Sequence, residues 1–431
     1  MRVFIYTLGC KVNEVDSELY AQELRLLGAE TTEALVEADA VIVNSCSVTN
    51  RAQAQSMQFA RRVLRERPGI AVYLTGCGAT LLNLTRMQAP DGIIAVVMRD
   101  RAEVARLVVG SSDAAPVTER WVDGRIRKAG LRNRVDVRVQ EGCDNMCTYC
   151  VVPFVRGTRL ESKPVDVALD EVMGLAAAGV KEIVLTGTEI GKYGESTERL
   201  PFLLDTMLGA LESAGLPTRV RISSLNPDAI TDALVRQFVK HPALCPQLHL
   251  PLQSGSNTVL RRMRRPYSSK DVLDSVQCLR MVDPSFTLTT DVIVGFPGET
   301  EQDLQATLDV IRLAEFAKVH VFPYSPRPFT PAAREGQQIP AGVAKERLHS
   351  VLDIAERTGM AFSRRFIGHD VTIVSEKSLP GEVEGYSEHY LWTRGRTQGD
   401  VVLQRDSLVV VHVDGCHFDG DRVVLSGNVA A

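Results

Sequence analysis

Glu141-Gly-Cys-Asp-Asn-Met-Cys-Thr-Tyr-Cys-Val-Val-Pro-Phe154 (EGCDNMCTYCVVPF) places three cysteines, Cys143, Cys147 and Cys150, in one short loop. A structural zinc site normally closes with four Cys or His ligands. Here the next cysteine is Cys245, outside the usual spacings. Thiolates spaced Cys-x3-Cys-x2-Cys can instead wrap three corners of a 4Fe-4S cube, because cluster ligation favours cysteine sulfur. Three ligands on four irons leave one iron open.

The surroundings of this loop set the fold. RVDVRVQ (134–140) reads as a strand running straight into it. Five further apolar runs follow: KEIVLTG, TRVRISS, PQLHLPL, FTLTTDVIVGF and AKVHVFPYS, separated by helix-length segments. Thr300 and Asp303 form a capping box for one such helix, with Leu304, Leu308 and Ile311 on a shared face. A helix over 341–363 closes the series. Six β/α units without a dinucleotide fingerprint predict a partial (β/α)6 TIM-like barrel at 133–365, with the cysteine loop on its C-terminal face. Polar residues recur at the strand ends: Gly187-Thr188-Glu189, Ser223 and Ser224, Gln253 in HLPLQSGS, and TDVIVGFPGET. Singly, Ser224 or Gln253 would serve as a helix cap or loop hydrogen bond. Their shared position makes them a site.

Upstream, residues 1–112 alternate strand and helix signals, predicting an open parallel α/β domain. Residues 13–27 read as a helix stopped by Gly28. Cys10, Cys46 and Cys77 each follow a strand candidate, in TLGC, NSC and LTGC. Parallel strands would gather the three thiols at one sheet edge, where open α/β sheets bind ligands. Small core residues at chance spacing are the plainer alternative. A linker-like stretch, 113–132, contains Arg125, Arg127 and Lys128. Residues 366–431 read as short strands broken by Gly, Asp and Ser (VTIVSEK, GEVEGYSEHYLWT, VVLQ, SLVVVHVDG, RVVLSG), predicting a small antiparallel β-barrel. Cys245, Cys278 and Cys416 read as ordinary buried thiols.

Composition is ordinary for a soluble globular chain: 431 residues, 45% hydrophobic and 24% charged, with a net charge of −4. The balance argues against a strongly basic nucleic-acid binder while leaving local patches open. No apolar run reaches a membrane span, and the opening MRVFIYTLGCKVN is too quickly polar for a signal peptide. Nine cysteines form an odd set without the density of a disulfide scaffold, so a reducing cytoplasm is expected.

The CxxxCxxC loop, with Tyr149 before its last cysteine, resembles the signature of the radical S-adenosylmethionine superfamily. The resemblance implies that the open iron chelates the cofactor, whose one-electron cleavage gives a 5′-deoxyadenosyl radical. It also implies that Gly187-Thr188-Glu189 holds the cofactor's amino group, with Tyr149, Ser224 and Gln253 beside it. TLGCKVN, NSCSVTN and LTGCGAT, together with a TRAM-like GEVEGYSEHYL segment, extend the resemblance over the whole chain to the methylthiotransferase family. That family implies a second 4Fe-4S cluster on Cys10, Cys46 and Cys77 whose open position carries the sulfur to be inserted. It implies two S-adenosylmethionines per turnover, one methylating that sulfur and one supplying the radical. It also implies an electron donor of flavodoxin or ferredoxin type.

Family branches modify a tRNA adenosine beside the anticodon, bearing a threonylcarbamoyl or an isopentenyl group, or an aspartate of a ribosomal protein. NSCSVTNRA and HVFPYSPRPFTPAA look most like the threonylcarbamoyl branch; Glu14-Val15-Asp16-Ser17-Glu18 is similar to the ribosomal-protein branch. Phe329 stands where the family's YSPRxGT segment has glycine, a position that would allow positive φ. A tRNA partner and a monomeric enzyme are expected. Basic residues for phosphate contact are Arg261, Arg262, Arg264 and Arg265, with Arg61, Arg62, Arg65 and Arg67, although as solvated faces they need no function. Tyr386, Tyr390 and Trp392 offer rings for base stacking or for core packing. Against RNA, residues 366–431 hold five Lys/Arg and ten Asp/Glu. The alternative from another class is a non-catalytic RNA-binding protein with structural metal, His249 or His320 completing a site.

Overall fold

A computed structural model describes residues 1–97, 101–110, 134–196, 198–399, 401–420 and 422–430. The linker expected at 113–132 lies outside them. The chain forms two compact units. One comprises Met1–Arg127, Glu141–Lys163 and Ser325–Arg334; the other comprises Lys128–Gln140, Pro164–Tyr324 and Glu335–Ala431.

In the first unit, β1 (Arg2–Thr7), β2 (Glu30–Thr32), β3 (Ala40–Ser45), β4 (Ala71–Thr75) and β5 (Ile93–Ala95) form one sheet in the order β2-β1-β3-β4-β5. Every pairing is parallel. β3 is buried on both faces. Ala40 and Ile42 pack with Tyr20 and Leu24 of α1 (Lys11–Leu26) and with Val104 and Val108 of α4 (Arg101–Val109). Val41 and Val43 face the other way, onto Phe59 and Val63 of α2 (Asn50–Glu66) and Leu82 of α3 (Gly76–Leu84). The strand alternation thus places a helix pair on each face, as a doubly wound sheet requires. Helix α1 starts two residues before the expected 13–27, because Cys10 itself is the N-cap.

The segment Glu141–Lys163, which carries Cys143, Cys147 and Cys150, folds within this first unit. Its helix α5 (Val152–Arg156) lays Val151 and Val155 against Cys77 and Leu81 of α3.

The second unit holds the six expected parallel strands. The strand β6 (Arg134–Glu141) leads into it; β7 (Glu161–Ser162) is a two-residue strand of the first unit's segment. β6, β8 (Glu182–Gly187) and β9 (Arg219–Ile222) pair in parallel, as do β10 (Gln247–His249), β11 (Thr287–Val294) and β12 (Lys318–Pro323). Parallel bridges Val220–Leu244 and Ser224–His249 join the two groups. One apolar core draws on all six strands, including Val137, Leu185, Ile222, Leu248, Val292 and Val319. Thr300 and Asp303 do form a capping box, for helix Glu301–Ala314.

The last segment closes into a barrel in the order β13-β14-β15-β17-β16, from β13 (Asp370–Leu379), β14 (Glu382–Ser387), β15 (Trp392–Arg396), β16 (Leu408–Asp419) and β17 (Arg422–Val429). Two details differ from the sequence reading. VVLQ (401–404) is not a strand, and β15 pairs with β17 in parallel while the other pairings are antiparallel. No helix among the described residues is long and apolar enough to cross a membrane.

Candidate functional site

Cys10, Cys46 and Cys77 follow β1, β3 and β4, three adjacent strands, at their C-terminal ends. Gly76, just before Cys77, has φ +81°, and a Cβ there would stand 2.3 Å from Asn44 Oδ1 and 2.7 Å from the Ser45 carbonyl. Only glycine lets the chain turn there. The sequence reading missed Asn13, in the first turn of α1. Its Oδ1 lies 3.9 Å from both Cys10 Sγ and Cys77 Sγ, and its Nδ2 donates to the Leu8 carbonyl at 2.8 Å. Two of the three thiols thus converge on one amide oxygen.

Arg156, also missed, closes the other side of that amide. Its guanidinium donates to Asn13 Oδ1 at 2.6 Å and Asp16 Oδ2 at 2.9 Å, and reaches Glu141 Oε1 at 3.4 Å. Burial pushes the Cys77 thiol up to about 12, against the pull of the Arg156 charge. Burial likewise raises Cys46, while the Val48 N–H, 3.4 Å from Cys46 Sγ, favours its thiolate. Iron would have to displace those protons. The donor set suits an iron–sulfur cluster: three cysteine sulfurs, two of them buried, and beside Cys46 a buried Ser47 hydroxyl without a partner among the described residues. Among the described residues no group of three or more His, Cys, Asp or Glu is placed to hold a single metal ion.

Cys143, Cys147 and Cys150 form the turn between β6 and α5. Gly142 precedes them with φ +86°, and a Cβ there would fall 1.9 Å from the Arg159 carbonyl. The Cys143 N–H donates to the Gly157 carbonyl at 3.2 Å, and the Cys150 N–H to the Cys147 carbonyl at 3.0 Å. Cys147 is buried; Cys143 and Cys150 are half-buried. The Thr148 carbonyl beside Tyr149 accepts the Ala332 N–H at 3.0 Å, bracing the loop on segment 325–334. Phe329 of that segment has φ +68° and sets its ring 5.8 Å from Phe154.

In the second unit, the Glu189 N–H donates to Gln140 Oε1 at 2.7 Å. Asn226 Nδ2 donates to Glu189 Oε2 at 2.9 Å, and Arg265 holds Asn226 Oδ1 in turn. Gln140, Asn226 and Arg265 therefore orient Glu189, a role the sequence reading did not give them. Gly187 runs close against Gln140, and the Thr188 hydroxyl is buried without a hydrogen-bond partner among the described residues, as a ligand-binding group would be. Ser224 is exposed and bridges to His249; Gln253 is buried with φ +61° and bridges to Val292. His249 contacts Thr289 Oγ1 at 3.0 Å and Asp291 Oδ2 at 3.3 Å, its ring 6.1 Å from His320.

The expected RNA contacts divide. Arg261 and Arg264 are exposed, whereas Arg262 pairs with Glu335 at 2.5 Å and Arg265 serves Asn226. Tyr386 and Tyr390 stack on each other at 4.5 Å, with Arg134 over both and Arg221 over Tyr390. Trp392 meets Tyr386 edge-on. Arg67 donates to the Leu35, Val36 and Ala38 carbonyls, tying a loop of the first unit. Of the remaining cysteines only Cys245 is buried; Cys278 and Cys416 are half-buried.

Residues 137–311 match the Radical SAM superfamily, and residues 2–98 match Uncharacterized protein family UPF0004. A threonylcarbamoyladenosine tRNA methylthiotransferase of Thermotoga maritima is 36% identical over 400 residues, 90% of each chain. A tRNA-2-methylthio-N(6)-dimethylallyladenosine synthase of Thermus thermophilus is 34% identical over 90% of this chain and 84% of its own. The radical S-adenosylmethionine methyltransferase TsrM of Kitasatospora setae, solved with cobalamin and a 4Fe-4S cluster, shares the fold at a TM-score of 0.56, with 16% identity over 77% of each chain. With relatives this similar along nearly its full length, the chain belongs to the radical S-adenosylmethionine methylthiotransferase family of enzymes.

Proposed function

We propose that the chain methylthiolates tRNA, at carbon 2 of a threonylcarbamoylated adenosine beside the anticodon, using two 4Fe-4S clusters. The observation that carries this reading is the pair of three-cysteine sites gathered in one compact unit, with Arg156 reaching from the Cys150 segment to the Cys10 and Cys77 side. Cys143, Cys147 and Cys150 would hold the cluster that cleaves S-adenosylmethionine; Cys10, Cys46 and Cys77 would hold the cluster carrying the sulfur. When bound, the first supplies the one-electron chemistry and the second the sulfur atom. Glu189, fixed by Gln140 and Asn226, is the acceptor for the cofactor's ammonium, with Thr188, Gly187, Ser224 and Gln253 completing its seat. Arg261 and Arg264 point outward for phosphate; Tyr386 and Tyr390 are engaged inside the chain. A flavodoxin or ferredoxin-like protein would donate electrons to a monomeric, cytoplasmic enzyme.

The threonylcarbamoyl branch is favoured by the name of the Thermotoga relative; the Thermus relative's name supports the isopentenyl-type adenosine as the second reading. Nucleoside mass spectrometry of tRNA from a deletion strain separates them. Loss of the methylthio group from threonylcarbamoyl-adenosine alone supports the first. Loss from the isopentenyl nucleoside supports the second. Intact nucleosides with a changed ribosomal-protein aspartate would overturn both.

A further inference from the structure

Arg327 belongs to segment Ser325–Arg334 of the first unit, and its side chain is fully buried. Its two terminal nitrogens donate to neutral amides, Asn50 Oδ1 and, at 2.5 Å, Gln53 Oε1. Its Nε has no partner among the described residues. Among the described residues no carboxylate pairs with it, in contrast to Arg156, which has Asp16 and Glu141. Hydrogen bonds to amides satisfy a guanidinium's donors without cancelling its charge. An isolated buried cation is costly, and the cost falls when an anion comes to it.

Asn50 and Gln53 lie in the first turn of α2, which begins four residues after Cys46, so the guanidinium is held at the helix start that follows the Cys46 loop. The buried Ser47 hydroxyl, also without a partner, follows Cys46 directly. At the Cys46 side of the thiol trio there is therefore an uncompensated positive charge and a free hydroxyl. On the Cys77 side, Arg156 is already offset by two carboxylates. A four-iron cluster on three thiolates is anionic in its resting state, and a sulfur anion on the open iron adds a further negative charge.

We propose that Arg327 is the counter-charge of the N-terminal site, a positioning residue that holds a small sulfur anion of the hydrosulfide class on the Cys46 side. The inference rests on the reading that Cys10, Cys46 and Cys77 hold a cluster.

The test uses the full chain carrying Cys143→Ala, Cys147→Ala and Cys150→Ala, reconstituted anaerobically, so that any cluster present sits at the N-terminal site. Iron content is read first: about four irons per chain are expected for one cluster, and an absence of iron overturns the two-cluster reading and this inference together. With iron present, hydrosulfide is titrated against the cluster's electron paramagnetic resonance signal, and the reduction potential is measured. Arg327→Gln should raise the half-saturating hydrosulfide concentration by about tenfold or more, the size of one lost charge-assisted hydrogen bond, and lower the potential. Arg327→Lys should restore most of both. Gln53→Glu, which gives the guanidinium the carboxylate it lacks while keeping its hydrogen bond, should act like Arg327→Gln. It decides the matter if Arg327→Gln does not fold. Unchanged hydrosulfide binding and potential in Gln53→Glu, or in a folded Arg327→Gln protein, would reduce Arg327 to a strut between segment 325–334 and α2.

Discussion

Arg156 and Asp16 form an ion pair at 2.9 Å with side chains 3% and 0% exposed, joining the helix after the cysteine loop to the helix that carries Asn13. A buried pair contributes less as a whole than its loss would imply, but removing one partner strands the other. Arg156→Leu leaves Asp16 and Glu141 buried without their cation and should cost about 3–5 kcal/mol. Asp16→Asn leaves Arg156 its bonds to Asn13 and Glu141 and should cost about 1–3 kcal/mol. Urea unfolding of both proteins measures the two values. Equal losses would show that Arg156 acts through packing alone.

Phe329 carries the price of a left-handed backbone, φ +68°, at the position where the sequence reading expects glycine. A side chain in that region costs roughly 1–2 kcal/mol, and the ring contact with Phe154 offsets about 0.5–1.5 kcal/mol of it. Phe329→Gly should therefore change stability little. Phe329→Ala keeps the strain and loses the ring, so it should be less stable than Phe329→Gly by about 1 kcal/mol. Thermal melts of the two variants give the difference directly. Equal melting temperatures would mean that the left-handed backbone at Phe329 carries no strain that glycine relieves.

The parts of this enzyme that are local in sequence were legible there. Cys143, Cys147 and Cys150 announce themselves by spacing. Cys10, Cys46 and Cys77 do so by recurring after strands, since a parallel sheet must bring such positions to one edge. Asn13, Arg156 and Arg327 gave no comparable signal, because their roles arise from contacts across 143 and 277 residues of sequence. Nor did spacing show that the cysteine loop folds with the N-terminal sheet while β6, immediately before it, belongs to the other unit. The Val-rich run VVLQ read as a strand on composition, yet the barrel closes by pairing β15 with β17 in parallel and leaves that run out of the ladder, with Leu403 packed on the barrel core.

Glu182 is completely buried beneath two guanidiniums, accepting from Arg219 Nε at 2.7 Å and Arg221 Nε at 2.8 Å. The same arginines donate onward to the carbonyls of Thr372, Tyr386, Ser387 and Glu388, fastening the C-terminal barrel to strand β9. Burial alone would raise the Glu182 carboxyl; Arg221 and Arg219 outweigh it and bring it down to about 2. A carboxyl held below its ordinary value stabilises the fold fully above that value, 4.5, and loses the contribution as pH falls toward 2. Glu182→Gln should cost about 3–5 kcal/mol at neutral pH and show a shallower loss of stability over the acid window. Parallel acid profiles for the two proteins would show that another carboxylate controls acid unfolding.

His389 sets a second window, nearer neutrality. Its ring is 8% exposed and lies edge-on to Phe366 at 4.7 Å. Burial pushes its imidazole down to about 4, against the pull of Asp283. The folded state therefore prefers the neutral ring. That preference is fully present above the ordinary value of 6.5 and is lost as pH falls through about 4. The intact chain should unfold at lower urea at pH 4.5 than at pH 7, and the C-terminal barrel amides should exchange faster at pH 4.5 once the intrinsic pH dependence is removed. His389→Gln cannot take up the proton, so its urea midpoint should change less between the two pH values. If the variant and the parent shift by the same amount, protonation of His389 plays no part in the acid weakening of the barrel.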